Sequence, residues 1–283
     1  MTYRFDGRVA VVTGAGRGIG RAYARLLAER GAQVVVNDID DDPASAVADK
    51  IGGIADSHDV ASAAEAKALV DASLEQFGRL DILINNAGNI RWAGMPKVDE
   101  DNLAAHLAVH LGGSFNTMRA AWPHMVERSY GRIVMTTSSG LFGLPNNTSY
   151  AAAKGAVIGL ARSLAVAGAD HGIKVNLIAP GAFTRMGGRG EPPPGMEPDL
   201  VAPMAAFLAH EDCPVTGEIY AAGFGRFARI FIAQTEGYVH STPGPTIEDV
   251  AEQWEAINDE TEYYVPADLT EWSARFMGHL PKD

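Results

Sequence analysis

The run Val9-Ala10-Val11-Val12-Thr13-Gly14-Ala15-Gly16-Arg17-Gly18-Ile19-Gly20 restricts the possible folds more than any other stretch of the 283 residues. Four apolar residues in a row suit a strand buried on both faces, and Ile19, Ala22, Tyr23, Leu26 and Leu27 then recur at helical spacing. The period therefore changes from strand to helix across the glycines. Gly14, Gly16, Gly18 and Gly20 let the backbone turn sharply, and the helix start behind them offers free N–H groups and the positive end of a dipole. Such a loop cradles phosphate and sets Gly14, Gly16, Arg17, Gly18 and Ile19 beside it. A second apolar run, Val34-Val35-Val36, follows Gly31 and ends at Asn37-Asp38, which makes a β-α-β unit with an acid at the tip of its second strand. Asp38 is placed to accept hydrogen bonds from the adenosine ribose hydroxyls and to repel a 2′-phosphate, so the expected cofactor is NAD rather than NADP.

Further along, Asp40-Asp41-Asp42-Pro43 reads as the solvated start of a helix. A short strand near Ile54 leads to Asp59-Val60, where Asp59 either accepts the adenine amino group or caps a helix. The strand Leu80–Ile84 exits into Asn85-Asn86-Ala87-Gly88, and the small and amide residues Asn86, Ala87 and Gly88 let the backbone approach the cofactor. From about Asp99 to Arg128 one long helix carries Leu103, Leu107, His110, Leu111, Ser114 and Met118 mostly on one stripe. His110 is there either a satisfied core residue or a functional one. The strand Arg132–Thr137 opens into Ser138-Ser139-Gly140, and Tyr150 starts a helix that runs to about Gly168.

Tyr150 and Lys154 lie four residues apart and so share a helix face. A free tyrosine titrates near pH ~10, and a nearby ammonium lowers that value. A phenol so tuned exchanges a proton with a substrate hydroxyl while hydride moves to or from a nicotinamide. Counting from the strand favours Ser138 to hold the substrate oxygen, with Ser139 as its alternate. A sixth strand, Ile173–Ile178, ends in Ala179-Pro180-Gly181, and Gly187–Pro198 is too rich in Gly and Pro for regular structure, which predicts a substrate lid. Arg185 and Arg189 either meet an anionic substrate there or are ordinary surface arginines. A helix around Leu200–His210 and a strand Gly217–Gly223 complete the pattern, and about sixty residues follow. They hold Gly225–Gln234, the turn Pro243-Gly244-Pro245-Thr246 and an acidic helix whose Val250, Trp254 and Ile257 form a stripe in need of burial.

The order T-G-x-x-x-G-x-G at Thr13–Gly20, N-N-A-G at Asn85–Gly88 and Y-x-x-x-K at Tyr150–Lys154 resembles the short-chain dehydrogenase/reductase family across nearly the whole chain. Val109-His110-Leu111 through Arg119-Ala120-Ala121-Trp122, and the long C-terminal tail, resemble its (3R)-hydroxyacyl-CoA dehydrogenase branch, found in multifunctional β-oxidation enzymes. The resemblance implies a doubly wound Rossmann α/β fold, with a mostly parallel seven-stranded sheet, helices on both faces and a C-terminal helical extension. It implies one dinucleotide-binding and catalytic domain over residues 1–283, with a core over about 5–225 and an extension over about 226–283 that packs on the core and on a partner subunit in a homodimer or homotetramer. It further implies catalysis by Ser138, Tyr150 and Lys154, with Lys154 also bonding the nicotinamide ribose; the family's usual gap between serine and tyrosine would land on Thr137, so the loop is read as one residue short. Pro180 and Gly181 would skirt the nicotinamide, and Thr184 would bond its carboxamide or the pyrophosphate. His110 stands where most of the family has an Asn that links the lysine to a water chain. The expected reaction oxidises a secondary alcohol to a ketone, or the reverse, on a 3-hydroxyacyl-CoA or, alternatively, a steroid or other bulky alcohol. A non-catalytic NAD-binding scaffold is the rival from another class; it has no need of the Ser, Tyr and Lys set.

Composition narrows the partners. Thirty-five acids against 23 Lys and Arg give a net charge of −12, which argues against nucleic acid and anionic membranes and requires a local basic patch for any polyanionic substrate. The lone Cys213 allows no internal disulfide, and nothing has metal-ligand spacing. Met1–Arg8 has no apolar signal core, no stretch approaches transmembrane length, and the end Pro281-Lys282-Asp283 is not a Ser-Lys-Leu address, so a cytoplasmic protein is expected.

Overall fold

Valine-rich runs flanked by helix signals become the central strands of one parallel sheet, shown here by a computed structural model that describes residues 2–186, 188, 190–240 and 244–280. Gly187 and Arg189 of the expected lid, Pro243 of the expected turn and the end Pro281–Asp283 lie outside the described residues.

The first half alternates β1 (Val9–Thr13), α1 (Gly18–Glu29), β2 (Gln33–Asn37), α2 (Asp41–Ile51), β3 (Ile54–Asp56), α3 (Ala63–Phe77) and β4 (Ile82–Asn85). The second half adds α4 (Glu100–His106), α5 (Ser114–Glu127), β5 (Gly131–Thr136), α6 (Thr148–Gly168), β6 (Ile173–Gly181), α7 (Ala202–Leu208), β7 (Ile219–Gly223) and β8 (Arg226–Ile230). The sheet order is β3-β2-β1-β4-β5-β6-β7-β8, and neighbours from β3 through β7 run parallel. α1 packs with α2 and α7, while α3, α5 and α6 pack together, so both faces of the sheet are covered. Strand order reverses beside β1, and in such sheets the crevice at the carboxyl ends of the strands at that point receives ligands.

Within residues 1–229 three expectations need correction. The sheet has eight strands rather than seven, because Phe224 and Gly225 both take positive φ (55° and 73°) and turn the chain back into β8. A turn with two left-handed residues is usually announced by Asn-Gly, and Phe gives no such signal. The single helix expected over Asp99–Arg128 is α4, a π-helical turn Leu107–Gly113, and α5. There the Ser114 hydroxyl donates to the His110 carbonyl at 2.7 Å and Thr117 to the Gly113 carbonyl at 2.9 Å, while a Cβ on Gly113 would fall 2.8 Å from the Val60 methyl. Finally, the run Thr148–His171 is long and apolar enough to cross a membrane by length and composition, contrary to the reading that no stretch approaches that length. It is apolar because Ala153, Val157, Ala161 and Ala165 are buried in the core.

The chain divides into two compact units, Met1–Arg229 and Ile230–Asp283. The second pairs β9 (Gln234–Thr235) with β10 (Tyr263–Tyr264) antiparallel and adds α8 (Ile247–Glu252), α9 (Trp254–Ile257) and α10 (Leu269–Phe276), so it is not purely helical. Thr246 and Asp249 form a capping box at α8, and the expected stripe is broken at Gln253, with Val250 and Trp254 exposed.

Candidate active site

The glycine loop is fixed mainly from β4. The Thr13 hydroxyl accepts the N–H groups of Asn86 and Ala87, both at 3.0 Å, and the Asn86 amide donates to the carbonyls of Thr13 (3.0 Å) and Gly14 (3.1 Å). Gly14 has φ +61°, and a Cβ there would sit 2.8 Å from Ala87 Cα; one on Gly20 would sit 2.3 Å from the Gly14 carbonyl. The two glycines therefore hold a backbone too close for any side chain.

Asp38 is buried beside this loop. Its Oδ2 accepts the Gly16 N–H at 3.0 Å and its Oδ1 the Asp40 N–H at 3.1 Å, so the carboxylate is oriented and each oxygen retains a lone pair. Arg17 lies 2.6 Å from Asp40 and Arg185 lies 3.8 Å from the same oxygen. Thr184 is 3.6 Å from the space a Gly18 Cβ would take, and Ile19 packs on the core behind the loop. The Asp59 Oδ1 accepts the Ala61 N–H at 2.9 Å, whereas Ser62 caps α3, so the helix-cap alternative falls to Ser62. Val60 is buried and its carbonyl accepts from Asn116 at 3.1 Å.

At the other end, the Lys154 Nζ lies 5.7 Å from the centroid of the Tyr150 ring and donates to the Thr136 carbonyl at 2.8 Å. Burial pulls the Lys154 ammonium down to about 7. Thr137 is fully buried with its hydroxyl donated to the Lys154 carbonyl at 2.8 Å, which ties β5 to α6 and removes it from the choice of serine. Ser139 is exposed in the short turn Ser139–Phe142, while Ser138 bonds to the Tyr150 hydroxyl and accepts the Gly140 N–H at 3.0 Å. Burial pushes the Tyr150 phenol up, and the Ser138 hydrogen bond offsets this only in part. The lowering expected from Lys154 is thus not what the chain by itself produces, since the ammonium is turned to a backbone carbonyl and is itself half-discharged near neutrality.

His110 reaches this end from the π turn. Its ring stands edge-on to Tyr150 at 5.3 Å and stacks on His106 at 5.9 Å. His110 Nε2 meets the Asn89 carbonyl at 2.9 Å, which fixes the proton on Nε2, and its Nδ1 is buried without a partner among the described residues. Burial first, then Lys154, holds the imidazolium down to about 2, so His110 is neutral. A Cβ on Gly88 would fall 2.6 Å from His110 Cε1, so the last glycine of N-N-A-G also makes room for this ring. His106 and Asn89 were not singled out from sequence; the four-residue spacing of His106 and His110 was the available signal.

Pro180 and Gly181 end β6 beside Ala222 and Gly223 of β7. Gly14–Ile19, Asp38, Asn86–Gly88, Pro180 and Gly181 thus lie at the carboxyl ends of four parallel strands, and Val60 and Thr184 border them. The cradle of close-packed glycines with an oriented acid suits the diphosphate and adenosine ribose of a dinucleotide.

A sequence model described as short chain dehydrogenase matches residues 8–189. The chain belongs to the short-chain dehydrogenase family. It is 39% identical over 99% of its length to the mouse protein "Peroxisomal multifunctional enzyme type 2", of which it spans 40%. A solved full-length structure of that enzyme from Drosophila melanogaster superposes with TM-score 0.83 at 34% identity, covering 97% of this chain and 49% of the other. A 7 alpha-hydroxysteroid dehydrogenase, solved in complex with NADH and 7-oxo glycochenodeoxycholic acid, superposes with TM-score 0.72 at 32% identity over 78% of this chain and 95% of its own. The chain therefore spans about half the length, or less, of its multifunctional relatives. Membership makes this short-chain dehydrogenase an oxidoreductase of a nicotinamide-dinucleotide family, with the doubly wound fold read from its sequence.

Proposed function

We propose that the protein is an NAD-dependent dehydrogenase that interconverts a secondary alcohol and a ketone, with a 3-hydroxyacyl-CoA-type thioester as substrate. The observation that carries this reading is the meeting of Ser138, Tyr150 and Lys154 at the carboxyl edge of β5. NAD, when bound, supplies the hydride acceptor. Gly14, Gly16, Arg17, Gly18, Ile19, Asp38, Asp59, Val60, Asn86, Ala87, Gly88, Pro180, Gly181 and Thr184 would hold it, together with Tyr150 and Lys154. The Ser138 hydroxyl holds the substrate oxygen and steadies the charge that develops on it. Tyr150 takes the alcohol proton during oxidation and returns it during reduction. Because burial raises its pKa, Tyr150 is protonated at neutral pH, which favours its part as the acid. Lys154 Nζ donates to the Thr136 carbonyl and stands 5.7 Å from the centre of the Tyr150 ring, so its part in favouring the phenolate is one that it takes only on leaving that carbonyl.

The substrate class is supported by the likeness to peroxisomal multifunctional enzyme type 2 and by the apolar residues near the serine. Ala93 bridges to Asn147, the residue that precedes α6, and Gly94 lies against the Pro145 carbonyl, so the segment carrying exposed Trp92 and Met95 adjoins the one carrying exposed Phe142 and Leu144 after Ser138. The same apolar rim favours a second reading, a steroid or other bulky alcohol, alongside the hydroxysteroid dehydrogenase neighbour. A homodimer or homotetramer belongs to the proposal, supported by exposed Ile247, Val250, Trp254 and Leu269 in the C-terminal unit. Incubation with NAD and a panel of 3-hydroxyacyl-CoA and hydroxysteroid alcohols, followed by NADH absorbance, tests it. Turnover of the thioesters supports the first reading and turnover of steroids alone the second; no turnover of any secondary alcohol overturns both.

A further inference from the structure

In a chain of net charge −12, a cluster of cations is not a by-product of composition. One such cluster lies in the trough between α1 and α2, on the outer side of the cofactor loop. Arg17, Arg21 and Arg25 are spaced four residues apart and form one stripe, and Lys50 in the last turn of α2 joins them. Together with Gly16 and an apolar floor of Pro43, Ala46 and Val47 they line a recess of about 330 Å³. A second recess, of about 270 Å³, shares Arg25 and Lys50 and ends at Glu29. Arg17 is paired with Asp40, and Arg25 with Asp199 at 3.4 Å and Glu29 at 3.6 Å. Among the described residues no ion pair holds Arg21 or Lys50.

Cationic walls over an apolar floor are the chemistry of a phosphorylated nucleoside: the base lies on the apolar surface and the phosphate meets the guanidinium and ammonium groups. The volume falls in the usual range of small-ligand sites, about 300–1,000 Å³. We propose that the α1–α2 trough is a second binding site, separate from the cofactor cleft, for a phosphorylated nucleoside, with Arg21 and Lys50 as its phosphate contacts. Gly16 and Arg17 belong both to the trough and to the cofactor loop, so any change of affinity that one occupant makes at the other site is matched by an equal factor in return. That coupling rests on the NAD reading; the trough itself does not.

The test uses the full chain with NAD at saturating concentration, so that the cofactor cleft is filled. Calorimetric titration with ADP, 3′,5′-ADP and 2′,5′-ADP should show saturable binding of at least one. The double variant Arg21→Glu/Lys50→Glu should weaken it by about tenfold or more while NAD-dependent turnover stays near wild type. Preference for 3′,5′-ADP would indicate the phosphate pattern of CoA, and preference for 2′,5′-ADP that of NADP. No saturable binding by any probe, binding unchanged in the double variant, or simple displacement of the probe by NAD would each overturn the proposal. Should NAD itself fail to bind in the same calorimeter, the cofactor reading falls, while the probes and the double variant still decide the trough.

Discussion

The two ends of the catalytic cleft are built in opposite ways. At the glycine end the polar groups are mostly backbone and are mutually satisfied: Thr13, Asn86 and Asp38 together bond Gly16, Asp40, Ala87 and the loop carbonyls. At the tyrosine end they are side chains, and Asn85 Nδ2, Asn89 Oδ1, His110 Nδ1, Thr136 Oγ1 and Asn147 Oδ1 are buried with no partner among the described residues. Two titratable groups there, Lys154 and His110, are pushed toward their neutral forms by burial. The first end is a rigid seat whose shape is complete in itself. The second holds unsatisfied polar atoms, which cost stability and leave acceptors and donors free for a bound molecule.

That contrast is most exposed to disproof at Tyr150. Tyr150→Phe removes one hydroxyl and no packing, so turnover should fall at least about a hundredfold while NAD affinity changes less than about threefold. Steady-state kinetics together with an NAD titration measure both, and wild-type turnover in the variant would end the acid–base assignment. Gly20→Ala probes the opposite end. Its Cβ would meet the Gly14 carbonyl at 2.3 Å and the Asn86 amide at 2.5 Å, with no flexible neighbour to yield on the backbone side. We expect a stability loss of about 1–3 kcal/mol by chemical denaturation and weaker NAD binding. Retained stability would mean that the loop is softer than its hydrogen bonds imply.

The same contrast explains what the sequence discloses. β1, the glycine turn and α1 rest on local rules, a buried valine run and positive φ at Gly14 and Gly18, and these are visible within a dozen residues. Tyr150 and Lys154 were legible as a helical pair, but their electrostatics were not: the ammonium donates to Thr136, a contact between residues far apart in sequence. Counting from the strand favoured Ser138, but that Thr137 is buried and spends its hydroxyl on the Lys154 carbonyl could be seen only in the fold. The π turn at His110 ends at Gly113, where a Cβ would fall 2.8 Å from Val60, a contact between distant segments that helical periodicity does not encode. Phe224 in a left-handed conformation hid the eighth strand for a related reason, since tertiary packing overrode the residue's own preference.

Asp38 sharpens the comparison with a smaller effect, because it serves both the loop and the proposed cofactor choice. Asp38→Ala frees the Gly16 N–H and removes the charge that repels a 2′-phosphate, so the ratio of kcat/KM for NAD over NADP should fall about tenfold. An unchanged ratio, or a wild type that already prefers NADP, would remove Asp38 from the selection of cofactor.

The smallest effect concerns stability against pH at the tyrosine end. Lys154 is lowered from 10.5 to about 7 by burial, so the fold disfavours its charged form. Below about 7 the folded and unfolded chains both carry the proton and the penalty is complete. Between about 7 and 10.5 the unfolded chain binds a proton that the folded chain lacks, and stability therefore rises with pH; above 10.5 the penalty is gone. Lys154→Met has no such proton. Its melting temperature relative to wild type should be highest near pH 7 and should decline by about 2–4 °C for each pH unit above it. Thermal melts of both proteins between pH 7 and 9 measure the difference, and parallel curves would show that the Lys154 ammonium keeps an ordinary pKa and that the tyrosine end is as well solvated as the glycine end.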